Sequence, residues 1–144
     1  MDSRFFLDVM LGRLSTYLRM CGYDAAYALD RGVEADDAIL ELAGSEDRTV
    51  VTRDVQLAER ADDAILIESL DVRDQLRELR NAGVKLSLTE PTRCSDCNGE
   101  LVRDDGATPD HAPDGKAVWR CTDCGKRFWK GSHWESVETT LSEL

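Results

Sequence analysis

Apolar residues along the first ninety positions come alternately in short runs and at helical spacing. Arg4-Phe5-Phe6-Leu7-Asp8-Val9-Met10 is a short apolar run that predicts a buried strand. Leu11, Leu14, Leu18 and Cys21 then recur at the period of a helix, with Gly22 placed to stop it. Tyr23 to Leu29 predicts a second strand, and Ala35 to Ala43 a second helix with Asp36 as its N-cap. Thr49-Val50-Val51-Thr52, β-branched throughout, predicts a third strand. A short helix over Val55 to Ala61 and a fourth strand over Ala64 to Ile67 follow. An amphipathic helix from Asp71 to Ala82, ended by Gly83, closes the series. Such alternation predicts an α/β fold, a parallel sheet flanked by helices.

The pattern changes near Pro91. Residues 86–92 read as a linker, which divides the chain into a domain over 1–90 and a smaller unit over 91–144. The central loop of the second unit, residues 104–115, holds Gly106, Pro109, Pro113 and Gly115, as a hairpin tip would. Gly131-Ser132-His133 leads into a terminal helix with Val137, Leu141 and Leu144 on one face.

Cysteine spacing explains the small unit. Cys94 and Cys97 form one C-x-x-C pair and Cys121 and Cys124 another, separated by 23 residues. This pattern reads as a tetrahedral zinc ribbon, and because four thiolates fill the coordination sphere the zinc is structural. Asn98-Gly99 and Gly125-Lys126 supply the small residues that knuckle turns need. Cys21 stands apart and reads as a small core residue.

Composition adds two constraints. The 144 residues contain no apolar window of about 20 residues and no signal-peptide pattern, so a soluble, cytoplasmic protein is expected, with no membrane. The net charge is −11, with nineteen acids against eleven bases before residue 91 and ten against seven after it. A nucleic-acid binder usually carries a basic footprint. Here, however, 18 Asp exceed 11 Glu and 14 Arg exceed 4 Lys. That bias reads as halophilic adaptation to a high-salt cytoplasm, so that charge reports habitat rather than partner. The rival reading is a basic binding partner.

In an open parallel sheet the functional crevice lies beyond the carboxyl ends of the strands. Asp8, Asp36 and Asp54 map there. Asp8 interrupts an apolar strand, where a charge is costly without a role or a partner. Asp36 and Asp54 also serve as plain helix caps on an alternative reading, and Asp30 or Asp37 are near enough to replace Asp36. Three carboxylates without a Lys make an oxygen-only site suited to Mg²⁺ or Mn²⁺, which can support phosphodiester hydrolysis.

The run Phe6 to Leu14, then Tyr17-Leu18-Arg19 and Gly22-Tyr23-Asp24, resembles the opening of the Mut-seven carboxyl-terminal RNase domain family. The likeness continues through Asp36 to Leu40, Leu42-Ala43 and Thr52-Arg53-Asp54. It ends on Arg93-Cys94, Cys97-Asn98, Cys121, Cys124-Gly125, Trp129 and Gly131-Ser132-His133. The resemblance implies a PIN-like fold with a zinc ribbon, a metal-dependent ribonuclease acting on RNA, and Asp8, Asp36 and Asp54 as metal-binding acids. PIN nucleases usually gather four acids, and Asp30 or Asp37 is the candidate fourth. PIN-type domains often pair, so a homodimer is an open arrangement.

The remaining candidates would handle RNA. Arg13 and Arg53 flank the acids, to hold phosphates or to form salt bridges with those acids. Lys126-Arg127-Phe128-Trp129-Lys130 and His133-Trp134 interleave base with aromatics, as single-strand binding surfaces do. Phe128 or Trp129 instead packs the ribbon against the first domain on the alternative reading. His133 is a substrate contact, an acid–base group or a helix cap, and His111 reads as solvated. The rival function is a non-catalytic RNA- or protein-binding adaptor.

Overall fold

Strands β1 (Arg4–Leu7), β2 (Asp24–Tyr27), β3 (Thr49–Thr52) and β4 (Ala64–Leu66) form one parallel sheet in the order β2-β1-β3-β4. The computed structural model describes residues 3–106 and 115–144, so the loop residues Pro109, His111 and Pro113 lie outside the described residues.

Alternation within β1 builds the layers. Phe5 and Leu7 point to α1 (Gly12–Met20) and α4 (Val72–Asn81), where they meet Leu14, Leu18, Leu76 and Leu79. Phe6 points the other way, into a core with Ile39 and Ala43 of α2 (Asp36–Ser45) and Leu57 of α3 (Val55–Arg60). Both faces are covered, which is why the strands read as continuous apolar runs. Burying a side chain such as Phe6 contributes about 1.5–3 kcal/mol.

Three boundaries differ from the expected ones. β1 stops at Leu7 rather than Met10, and Asp8 lies just beyond it, its N–H donating to Val51 O at 3.0 Å as a last rung. β2 stops at Tyr27, and Leu29–Arg31 turns into one short 3-10 turn. The expected Asp36 cap is corrected. Ala35, in extended conformation, is the N-cap of α2 and no side chain caps the helix. Asp36 is already helical, so its carboxylate cannot fold back onto the first free amides; it acts on the helix dipole instead. Asp54 does cap α3, and Asp71 caps α4.

A second sheet, antiparallel, orders β5 (Leu101–Arg103), β6 (Trp119–Cys121) and β7 (Arg127–Phe128). Helix α5 (Ser132–Ser142) then returns to the first sheet's layer, where Leu141 and Leu144 pack against the core under α1 and α4. Arg80 Nη1 donates to Leu144 O at 2.9 Å, and Arg73 pairs with Glu143.

The cysteine unit covers an exposed liability. β2 is an edge strand, with unpaired backbone groups along its outer side. Asn98 meets one of them: its Oδ1 accepts from Ala25 N at 2.9 Å, while its Nδ2 donates to the Asp24 carboxylate at 2.7 Å. Arg19, fully buried in α1, donates to Ala25 O, to Ser95 O at 3.1 Å and to the Asp30 carboxylate. Arg13, six residues earlier, is exposed and has no such partner among the described residues.

Candidate metal centre and carboxylate rim

The two C-x-x-C turns bring Cys94, Cys97, Cys121 and Cys124 together, and the four sulfurs all lie within 4.8 Å of one another. Cys94 Sγ is 3.8 Å from Cys124 Sγ and Cys97 Sγ is 3.5 Å from Cys121 Sγ. A zinc tetrathiolate with bonds of ~2.3 Å has sulfur–sulfur edges of about 3.8 Å, so the cluster could hold a zinc ion with little rearrangement. The knuckles are built alike: Asn98 (φ +72°) and Gly125 (φ +79°) each follow a pair in left-handed conformation. Gly99 answers a different need. A Cβ there would stand 2.7 Å from Cys121 Sγ. Burial pushes the Cys94 and Cys97 thiols up. Burial also acts on Cys121, but the N–H groups of Cys124 and Asp123 outweigh it and lower that thiol to about 7. Cys21 is buried outside the cluster, its thiol pushed by burial to about 12.

The acids stand at the opposite kind of site. Asp8 follows β1, Asp54 lies two residues past β3, and Asp36 opens α2, all at the carboxyl end of the parallel sheet. Asp8 Oδ2 accepts from Thr52 Oγ1 at 2.7 Å, and its Oδ1 accepts from Val9 N at 2.8 Å. The same Thr52 hydroxyl accepts from Asp54 N at 3.0 Å. Thr52, fully buried at the end of β3, therefore ties Asp8 to Asp54. Its β-branched side chain signalled only a strand; the two-residue step to Asp54 was the available clue to more. Asp54 Oδ1 accepts from Gln56 N and Leu57 N.

No Lys or Arg ion-pairs with Asp8, Asp36 or Asp54 among the described residues. Yet their oxygens do not gather within reach of one ion; among the described residues the cysteines alone form such a group. The candidate fourth acids are engaged elsewhere, Asp30 with Arg19 and Asp37 with Arg60. Neither flanking arginine bridges the acids. Arg53 Nη2 reaches Glu68 O at 3.4 Å, while its buried Nε has no hydrogen-bond partner.

In the ribbon, Lys126 pairs with Asp96, Arg127 with Asp104 and Lys130 with Glu90. His133 is exposed in the first turn of α5 and does not cap it; Gly131 is the N-cap, without a side-chain bond, so the cap reading of His133 is corrected. Phe128, Trp129 and Trp134 are half-buried and line a cleft facing Thr16, Arg19 and Met20 of α1.

The architecture is thus an α/β domain with a four-stranded parallel sheet and an attached four-cysteine ribbon. The chain belongs to the Mut7-C RNAse domain family, whose model matches residues 3–141. Comparisons with curated proteins and with solved structures found no match. Membership suggests a ribonuclease-like function and RNA as substrate. No helix among the described residues is long and apolar enough to cross a membrane.

Proposed function

We propose that this protein is a metal-dependent ribonuclease that hydrolyses RNA phosphodiester bonds at the carboxylate rim, and that its zinc ribbon helps to engage the RNA. One observation carries the reading: Thr52 joins Asp8 to Asp54 at the strand ends of a chain in an RNase family. The donor set is oxygen-only and has no ion-paired cation, so it fits Mg²⁺ or Mn²⁺, which keep several waters and need only one or two carboxylates. Such an ion, when bound, lowers the pKa of water and offsets phosphate charge. Asp8 and Asp54 would hold it, with each Asp8 oxygen oriented by one hydrogen bond. Asp36 would complete the negative field or orient water. Arg13, exposed and without an ion-pair partner among the described residues, and Arg53, whose buried Nε has no hydrogen-bond partner among them, would meet phosphates. Lys126, Arg127, Lys130 and His133 would guide the strand from the ribbon.

The adaptor reading has one observation in its favour, the dispersal of the three acids beyond reach of a single ion. Cleavage of end-labelled single-stranded and structured RNAs in Mn²⁺ at high salt, wild type beside Asp8→Asn, separates the two. Products from wild type alone support the nuclease. Binding without cleavage in both proteins supports the adaptor.

A further inference from the structure

The ribbon and α1 enclose a cleft of about 400 Å³ that lies away from the acids. α1 starts next to the carboxylate rim, yet the cleft is lined by its later residues Thr16, Arg19 and Met20. Nine residues at ~1.5 Å each put the ends of that helix about 13 Å apart. Across from α1 stand the half-buried rings of Phe128, Trp129 and Trp134.

Those rings are held in place. A Cβ on Gly131 would lie 2.9 Å from Trp129 Nε1 and 3.1 Å from its Cδ1, so the glycine leaves room for that edge of the indole. Lys130 Nζ sits 5.2 Å from the Trp134 ring centre, and Lys126 Nζ sits 5.5 Å from that of Phe128, both within cation–π range. Trp129 Nε1 and the His133 ring have no hydrogen-bond partner among the described residues.

Charge in the cleft runs against that of the chain. Arg19, Arg93, Lys126 and Arg127 line it with a single carboxylate, Asp96, in a protein of net charge −11. Asp30, Asp24 and Asp104, which pair with three of these cations, are not among the lining residues. Lys126 in turn pairs with Asp96, and Arg19 is buried with its donors engaged, so the cations that the aromatic-walled cleft can offer a ligand are Arg93, Lys126 and Arg127, each by exchange of a carboxylate partner. Flat rings bind flat apolar rings, and cations beside them select an anion. An unpaired nucleotide offers both; a base inside a duplex offers no free face.

We propose that this cleft seats an unpaired nucleotide of single-stranded RNA, its base against Trp129 and Trp134 and its phosphates beside Lys126 and Arg93. It is a holding subsite on the later turns of α1, away from the carboxylates that would cut. The proposal rests on the ribonuclease reading for the identity of the ligand. Because α1 supplies one wall and the ribbon the other, the pocket exists only while the ribbon is docked.

The test uses the full chain, loaded with zinc, and fluorescein-labelled RNA 12-mers read by anisotropy. Trp134→Ala weakens single-strand binding roughly tenfold or more, the scale of one lost base stack. Thr16→Glu and Thr16→Lys place opposite charges in the same wall on side chains of similar helix propensity. The glutamate variant loses binding and the lysine variant keeps it, with matching circular dichroism and melting for both. A duplex of the same sequence binds much more weakly than the single strand. Equal binding by Thr16→Glu and Thr16→Lys, or by single strand and duplex, overturns the proposal, as does absence of binding by wild type. Cleavage by wild type that survives with unchanged affinity in Trp134→Ala and Thr16→Glu overturns the subsite and leaves the nuclease standing. Cleft-dependent binding without cleavage of any RNA does the reverse.

Discussion

Asn98, at the close of the first cysteine knuckle, accepts a hydrogen bond from Ala25 N at 2.9 Å on the open edge of the parallel sheet. One side chain thereby joins metal loop and sheet, since its amide also donates to Asp24. Asn98→Gly keeps the left-handed backbone (φ +72°) and removes only the side chain. Ala25 is fully buried, so its N–H is left without a partner at a cost of about 1–3 kcal/mol. Hydrogen exchange at the Ala25 amide accelerates by a factor of ten or so or more, the equivalent of ~1.4 kcal/mol, while amides in β3 change little. Equal change at both would mean that the ribbon does not protect the edge locally.

Thr52→Val probes the carboxylate rim without emptying the core, because valine matches the shape of threonine and lacks the hydroxyl. Asp8 loses the donor to its Oδ2, and Asp54 N loses its acceptor. Stability falls by about 1–2 kcal/mol in urea titrations. Cleavage in Mn²⁺ falls roughly 10- to 100-fold, the usual cost of removing a group that orients a metal-binding side chain. Thr52→Ser, which keeps the hydroxyl, recovers most of the rate. A valine variant as active as wild type would show that the hydroxyl does not position Asp8.

Those two residues also show where sequence reading reaches its limit. Each strand and helix of the α/β domain was legible, because doubly buried strands and one-sided helices write periods of different length into the chain. The C-x-x-C pairs were equally plain, since metal coordination demands close spacing. The boundaries were not: the Asp8 position reads as strand interior until the ladder shows it as the last rung. Asp36 reads as a cap until Ala35 takes that place. Contacts such as Asn98 to Ala25 and Arg19 to Ser95 join residues more than seventy positions apart, and no local pattern announces them. Thr52 was hidden for another reason, as strand propensity already explained it.

Acid should weaken the fold through Asp24. Burial raises this carboxyl, but hydrogen bonds from Arg48 and Asn98, with the charges of Arg48 and Arg93, outweigh it and hold the group at about 2, against 3.8 ordinarily. The stabilisation is fully present above the ordinary value and drains away as pH falls through about 2. A shift of that size corresponds to roughly 2 kcal/mol. Glu46, which shares Arg48, is also held at about 2 and adds to the loss. The urea midpoint therefore drops steeply between pH 4 and pH 2 on the scale of these shifts. Asp24→Asn makes that slope shallower. It also lowers stability at neutral pH by about 2 kcal/mol, because Arg48 loses the Asp24 charge but keeps Glu46. An unchanged slope in the variant would assign the acid sensitivity to other carboxylates.

Zinc retention should separate two glycines that look alike in sequence. Gly125 is left-handed (φ +79°) with open space around it, so Gly125→Ala carries only backbone strain of about 1–2 kcal/mol. Gly99 has no such φ, but its added methyl would stand 2.7 Å from Cys121 Sγ and 2.8 Å from Asp123 Oδ2. Cys121 cannot yield, since its sulfur accepts from Asp123 N and Cys124 N and its strand pairs on both sides. Gly99→Ala must therefore displace the thiolate from the tetrahedron. Competition with a chromogenic chelator yields about one zinc per wild-type chain. Affinity falls roughly 10- to 100-fold in Gly99→Ala and far less in Gly125→Ala. Cobalt substitution gives an independent reading, because a displaced thiolate weakens the sulfur-to-metal charge-transfer band. Equal zinc loss in the two variants would assign the effect to turn strain rather than to crowding of the ligand.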